Sequence, residues 1–311
     1  MRNVGCALVC LSALCASRLA AAEGGVQESA AGIRHSMILF GAETYRVAED
    51  GAVGWQASLG SRDGWIMPNG HVLLAASKSK SFPSGAIIEL DAEAKAVFTF
   101  KGTQSQVDAV QALADGHILM TESGPKPRLL EIDRQGKVIV EFPLQCQITN
   151  FHMQTRMARK LPSGNYLVPH LWDKVVNEYS ADGKIVWQAK TPATPAESWP
   201  FTAIRLDDGN TLISCTHGSM VIEVDKNGKI VWQVTNEDLP RPLLKDPCGV
   251  QRLADGNTVI TSYGAAGGDE VKMLEVTPQK QIVWTYRSNR AHGVHEFQIV
   301  TTNGKGEAAR K

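Results

Sequence analysis

The sequence predicts an all-β fold: a six-bladed β-propeller of four-stranded antiparallel blades, its ring closed by a blade shared between the N- and C-termini. Three observations predict it. A turn built on glycine recurs at Gly70, Gly116, Gly164, Gly209 and Gly256, with spacings of 46, 48, 45 and 47 residues. The segments around each turn alternate apolar and polar residues by two, the period of a strand, where helices would repeat by three and four. Each unit also closes on an apolar run with an aromatic residue at Trp55, Phe98, Trp187, Trp232 or Trp284, and Val140 takes that place in one copy. A strand-only repeat of this length with a glycine turn is the pattern of propeller blades.

Taken in order, the chain opens with Arg2, an apolar run from Val4 to Leu14 and the small residues Ala20, Ala21 and Ala22. That is the layout of a secretory signal peptide, and the run is too short to span a bilayer. Residues 1–22 are therefore expected to be a signal peptide and 23–311 a single propeller domain, exported to the periplasm or the extracellular space as a soluble protein. Cleavage removes Arg2 and Arg18 and leaves 30 basic against 32 acidic residues. With no basic block, nucleic acid and anionic membranes are poor partners. Cys146, Cys215 and Cys248 remain, so at most one internal disulfide is available. Cys215, on an apolar strand, reads as a buried thiol.

The domain begins part-way through a unit, with Met37 to Phe40, Tyr45 to Gly51 and Ala52 to Gln56. Five full turns follow: Met67–His71, Leu113–His117, Leu161–Asn165, Leu206–Asn210 and Leu253–Asn257. Residues 298–304 look like a degenerate sixth copy at Gly304, supplying only an opening strand from about His295 to Thr301. The two incomplete ends together make one blade, which leaves the ring without a free edge. Asn-Gly and Asp-Gly pairs suit these hairpins because glycine accepts positive φ.

In such a ring the first strand of each unit lines the central channel. The loops entering it share one face with the loops between second and third strands, and the glycine turns lie on the other. His71 and His117 follow glycine turns and fall on the turn face; His35 and His170 read as structural. The opposite face collects His152, Gln154 and Arg156 from FHMQTRMARK, His292 and His295 from AHGVHEFQ, His217 from a second-to-third-strand loop, Trp199, and Asp108. Alternate spacing of His152, Gln154 and Arg156 predicts that all three point one way along a strand. Together these residues predict a pocket for a small polar or anionic ligand, with a protein docked on one face as the other partner class. No metal site is assigned. His152, Arg156, His217, His292 and His295 are the candidates for acid–base chemistry, and no Ser-His-Asp arrangement, HExxH, CxxC or phosphate loop is present.

The closing segments EVDKNGKIVWQ, EYSADGKIVWQ and EVTPQKQIVWTY resemble the tryptophan-containing repeat of the pyrroloquinoline-quinone (PQQ)-like bacterial propellers. That resemblance implies the propeller scaffold, with the aromatic residue packed against the next blade. Quinone dehydrogenases of that type have eight blades, an adjacent-cysteine disulfide and calcium ligands; six units and no adjacent cysteines point away from bound PQQ. RKLPSGNYLV also resembles the repeat of the bacterial arylsulfotransferase propeller, whose channel uses histidines and an arginine. The function expected is an exported, non-catalytic ligand-binding or protein-interaction scaffold. The alternative is an arylsulfotransferase-like or carbohydrate-active enzyme using the histidine and arginine cluster.

Overall fold

A computed structural model of the protein describes residues 24–308 and 310–311, and the segment 1–22, expected to be a signal peptide, lies outside them. Six antiparallel sheets stand in sequence around a ring. Blade I is the shared one: Val294–Thr302 is its inner strand, followed outward by His35–Gly41, Thr44–Val47 and Val53–Ala57. Blade II holds Ser61–Ile66, Val72–Ala76, Ala86–Leu90 and Ala96–Lys101; blade III holds Gln106–Ala112, Ile118–Ser123, Arg128–Ile132 and Val138–Pro143. Blade IV has Arg159–Lys160, Tyr166–His170, Val175–Tyr179 and Ile185–Lys190. Blade V has Trp199–Arg205, Thr211–Thr216, Met220–Val224 and Ile230–Thr235, and blade VI has Pro247–Arg252, Thr258–Ser262, Val271–Val276 and Ile282–Arg287.

The hairpins form as the turn chemistry requires. The glycines at 70, 116, 164, 209 and 256 all have φ between 82° and 90°, where a side chain would be strained. The core lies between blades: each large apolar cluster joins two neighbours, such as Leu212, Val221 and Val234 of blade V with Val250, Ile260 and Leu274 of blade VI. Middle strands are buried on both faces, whereas outer strands alternate, so Val186 and Val231 are half exposed.

The closing aromatics tie blades together. The indole N–H groups of Trp187 and Trp232 donate to the carbonyls of Lys226 and Pro278 in the next blade, at 2.7 and 2.8 Å. A glutamate on the third strand adds a second tie. Glu178 and Glu223 each accept from an asparagine of their own turn and from an arginine one blade on, Arg205 and Arg252. These arginines also stack over Trp187 and Trp232. Buried or half-buried clamps of this kind lose water on both sides and so fix one geometry.

Three features differ from the sequence reading. Gly304 turns a hairpin into an additional short strand, Lys305–Gly306, on the channel side, where only an opening strand was expected; the second strand of blade I comes from His35–Gly41, in line with the shared blade. Val26–Glu28 adds a fifth, outermost strand to blade VI. The innermost strand of blade IV is only two residues long, because Phe151–Met153 winds into a 3₁₀ turn capped by the Asn150 side chain. The strand alternation expected of His152, Gln154 and Arg156 therefore does not hold.

Candidate functional site

On the face opposite the glycine turns, a cavity of about 390 Å³ sits over the channel mouth. Its walls come from one sequence offset in successive blades, on the inner strand or, for Arg156, just ahead of it. Arg62, Asp108, Arg156, Phe201 and Cys248 each stand eight residues before a turn glycine. Four of them line the cavity, while Asp108 is fully buried beneath. Regular blade geometry turns one sequence offset into one height in the channel.

Asp108 anchors the cationic floor. Arg62 Nη1 donates to its Oδ1 at 3.1 Å, Gln106 Nε2 at 2.7 Å, and the Ser123 hydroxyl donates to its Oδ2. Arg156 Nη1 lies 3.5 Å from the same carboxylate. Burial pushes the Asp108 carboxyl up, and the two guanidiniums pull against that shift. The Arg156 guanidinium is held by the carbonyls of Thr155 and His152, at 2.7 and 2.6 Å, and lies over the Phe201 ring. Burial, together with the nearby Arg62 charge, lowers Arg156 to about 10.

The His152 ring is wedged between the two arginines, with Nδ1 3.2 Å from Arg62 Nη2 and Nε2 3.3 Å from Arg156 Nη2. Partial burial and the two guanidiniums lower His152 to about 4, so the ring is neutral. A neutral imidazole accepts at one nitrogen only, so one of these contacts sets donor against donor. Arg156 Nε and His295 Nδ1 are buried without a hydrogen-bond partner. His295 stacks on Tyr263 with ring centroids 4.1 Å apart, and burial followed by the arginines lowers it to about 3. The Arg156 Nε–H and one N–H at the His152–arginine contacts are thus donors without an acceptor.

Trp199 and His217 form the opposite wall, their rings 4.5 Å apart. His217 is exposed, with Nδ1 3.4 Å from Glu197 and Nε2 3.8 Å from Asp246. A second depression of about 430 Å³ shares Arg62, Ser77 and His152 with the cavity and adds Lys78.

Of the residues singled out from sequence, His152, Arg156, Trp199, His217 and His295 meet in this cavity, with Asp108 beneath it. Two do not. Gln154 is buried and pinned to backbone: its Oε1 accepts from Gly124 N at 2.8 Å, and its Nε2 donates to the carbonyls of Gly124 and Ile148, each at 3.1 Å. His292 lies exposed in a separate cleft beside Arg290 and Glu43. Gly293 packs so tightly that a Cβ there would stand 1.7 Å from the Tyr263 carbonyl oxygen, leaving His292 on the outer side. Sequence reasoning missed Arg62, Phe201, Tyr263 and Cys248; counting eight residues back from each turn glycine finds all but Tyr263.

His71 and His117 hold Glu89 and Asp115 on the turn face, and His35 and His170 are buried. Among the described residues no cluster of three or more histidine, cysteine or acidic side chains is arranged to hold a metal ion. Cys146, Cys215 and Cys248 are free, and burial raises all three thiols, Cys146 to about 12. No described helix is long and apolar enough to cross a membrane.

The fold is shared widely among solved structures. A protein of unknown function from Bacteroides caccae superposes with a TM-score of 0.73 at 18% identity, covering 85% of this chain and 98% of its own. Virginiamycin B lyase from Staphylococcus aureus follows at 0.54 and 15%, over 73% and 69% of the two chains. A streptogramin B lyase gives 0.58 at 11%, over 84% and 87%. No curated protein matches in sequence. Residues 76–239, over half of the chain, match the model of the Mal s 1 allergenic protein-like family, and the protein belongs to that family.

Proposed function

We propose that the protein is an exported, non-catalytic binding propeller whose cavity takes a small anionic ligand with an aromatic or apolar body. One observation carries the reading: Arg62 and Arg156 both converge on the neutral His152 ring, which can accept from only one of them, and the buried Arg156 Nε has no acceptor, a surplus of donors that an anion completes. The rings of Trp199, Phe201 and Tyr263 supply the wall for the ligand's apolar part. Export rests on Arg2, the run Val4 to Leu14 and Ala20 to Ala22. The likeness of the closing strands to PQQ-type repeats is, in this reading, one of scaffold.

Titration calorimetry with 2-naphthalenesulfonate and 2-naphthoate tests it. Binding is expected for wild type and about tenfold or more weaker for Arg156→Gln, the loss of one charge-assisted hydrogen bond. Absence of binding by wild type, or equal binding by the variant, would sink the reading.

The enzyme alternative uses the same residues. A general base works best with a pKa near the working pH, whereas His152 and His295 lie at about 4 and 3, far below neutrality. The lyase names of two similar structures attach to chains only 11–15% identical and to likeness of fold. Turnover of an aryl sulfate by wild type, abolished in His152→Ala, would replace binding by catalysis.

A further inference from the structure

The other mouth of the channel is organised around a different charge. Asp63 and Glu296 are fully buried there. Arg159 forks onto Asp63 with Nη1 2.7 Å from Oδ2 and Nη2 3.0 Å from Oδ1, and its Nη2 is 3.7 Å from Glu296. Glu296 also accepts from the Thr202 hydroxyl at 3.2 Å and from Phe297 N at 3.0 Å. Two carboxylates against one guanidinium leave one negative charge uncompensated in a dry site, a large cost unless a second cation is present.

The chain supplies that cation itself. Beyond Lys305–Gly306 it runs back into the channel, where Gln251 Nε2 reaches the Ala308 carbonyl at 3.2 Å and Arg159 Nε the Lys311 carbonyl at 3.0 Å. The Lys311 side chain is buried. Its ammonium donates to the Gly64 carbonyl, lies 4.0 Å from Asp63, and sits 4.9 Å from the ring centroids of both Phe40 and Trp65. A carbonyl, a carboxylate and two aromatic faces around one ammonium are the parts of a cation-recognition site. Trp65, Arg159 and Lys311 also border a cavity of about 380 Å³ between the glycine turns, so the buried site adjoins a cavity on that face.

We propose that this end of the channel is a binding site for a linear primary alkylammonium group, which Lys311 occupies in cis. It is separate from the anion pocket and does not depend on it. Withdrawal of Lys311 opens a narrow aromatic slot with a net negative end, the right shape for an unbranched amine of about the length of a lysine side chain.

The probe is n-butylammonium, whose four carbons match the lysine stem, with n-butanol and sodium chloride as controls. Lys311→Ala should bind it saturably, read from Trp fluorescence and a rise in melting temperature, and wild type at least about tenfold more weakly. Adding Glu296→Gln to Lys311→Ala should weaken binding about tenfold again. Equal responses of wild type and Lys311→Ala, or an equal response to n-butanol, would overturn the proposal. Wild type provides a second reading if the variant does not fold. Acetylation of Lys311 by acetic anhydride should run at least about tenfold slower than that of the exposed Lys184 in the same reaction, and the ratio of the two rates should rise as butylammonium is added, the amine's own consumption of anhydride cancelling in the ratio. Equal rates for the two lysines, or a ratio unmoved by the amine, would also overturn it.

Discussion

The two ends of the central channel are made from the same six strands, and often from neighbouring residues, yet they settle charge in opposite ways. Arg62 serves the open end and Asp63 the closed one; His295 and Glu296 divide in the same way. At the closed end each buried charge meets an opposite charge, Asp63 and Glu296 against Arg159 and Lys311. At the open end two guanidiniums share the single carboxylate of Asp108, and polar atoms of Arg156 and His295 go without partners. A satisfied end is a structural device, and an unsatisfied one is a place for something to bind.

The largest effect should come from breaking the satisfied end. Arg159→Met leaves Asp63 and Glu296 buried with only Lys311, and unfolding by urea should show a loss of about 3–5 kcal/mol. Arg62→Met at the open end should cost about 1 kcal/mol or less, since Asp108 keeps Arg156, Gln106 and Ser123. If the two variants lose the same stability, the contrast between the ends is wrong.

The pH dependence sharpens the same contrast. The folded-state values of His295 and His152, about 3 and 4, lie below an unfolded value near 6.5. The unfolded chain then binds more protons, so stability is held above pH 6.5 and lost as the pH falls toward 4. Each histidine contributes a slope of up to about 1.4 kcal/mol per pH unit, less for the partly exposed His152. Melting curves from pH 7 to 4 should show a shallower acid loss for His295→Gln than for wild type; identical slopes would contradict the burial of that ring. The smallest effect is expected of His217→Ala. Its exposed ring at the rim should change stability by no more than about 0.5 kcal/mol and binding of 2-naphthalenesulfonate only a few-fold.

The parts of this molecule legible in the sequence are those fixed locally or by repetition. The turn glycines, the closing tryptophans and the shared blade all follow from a pattern written several times over. The open-end pocket was half legible. His152, Arg156, Trp199, His217 and His295 could be placed by face, but Arg62 and Phe201 carry no histidine-like flag and appear only when inner strands are aligned on their turn glycines. Gln154 and His292 were misplaced for local reasons. Asn150 caps a 3₁₀ turn where alternation was assumed, and Gly293 closes on Tyr263. The return of the chain into the channel was not legible, because it depends on Lys311 meeting residues some 250 positions away, such as Gly64.

Gln27 carries a consequence of another kind. Its Oε1 accepts from the Trp284 indole at 2.9 Å and from His35 N at 2.8 Å, while its Nε2 is shared among the carbonyls of His35, Ala48 and Glu49. At the other seams Trp187 and Trp232 find a turn carbonyl of the next blade; at the join of blades VI and I one amide side chain stands in that place. Mechanically it is the clasp of the ring. A pull on Val26–Glu28 peels three residue pairs from Ile282–Arg287 one after another, and Gln27 is the middle of the three. Behind it, His35–Gly41 and Val294–Thr302 form a long ladder within blade I. The ring therefore has a weak outer catch and a strong inner hinge, and force should open it in two steps in that order.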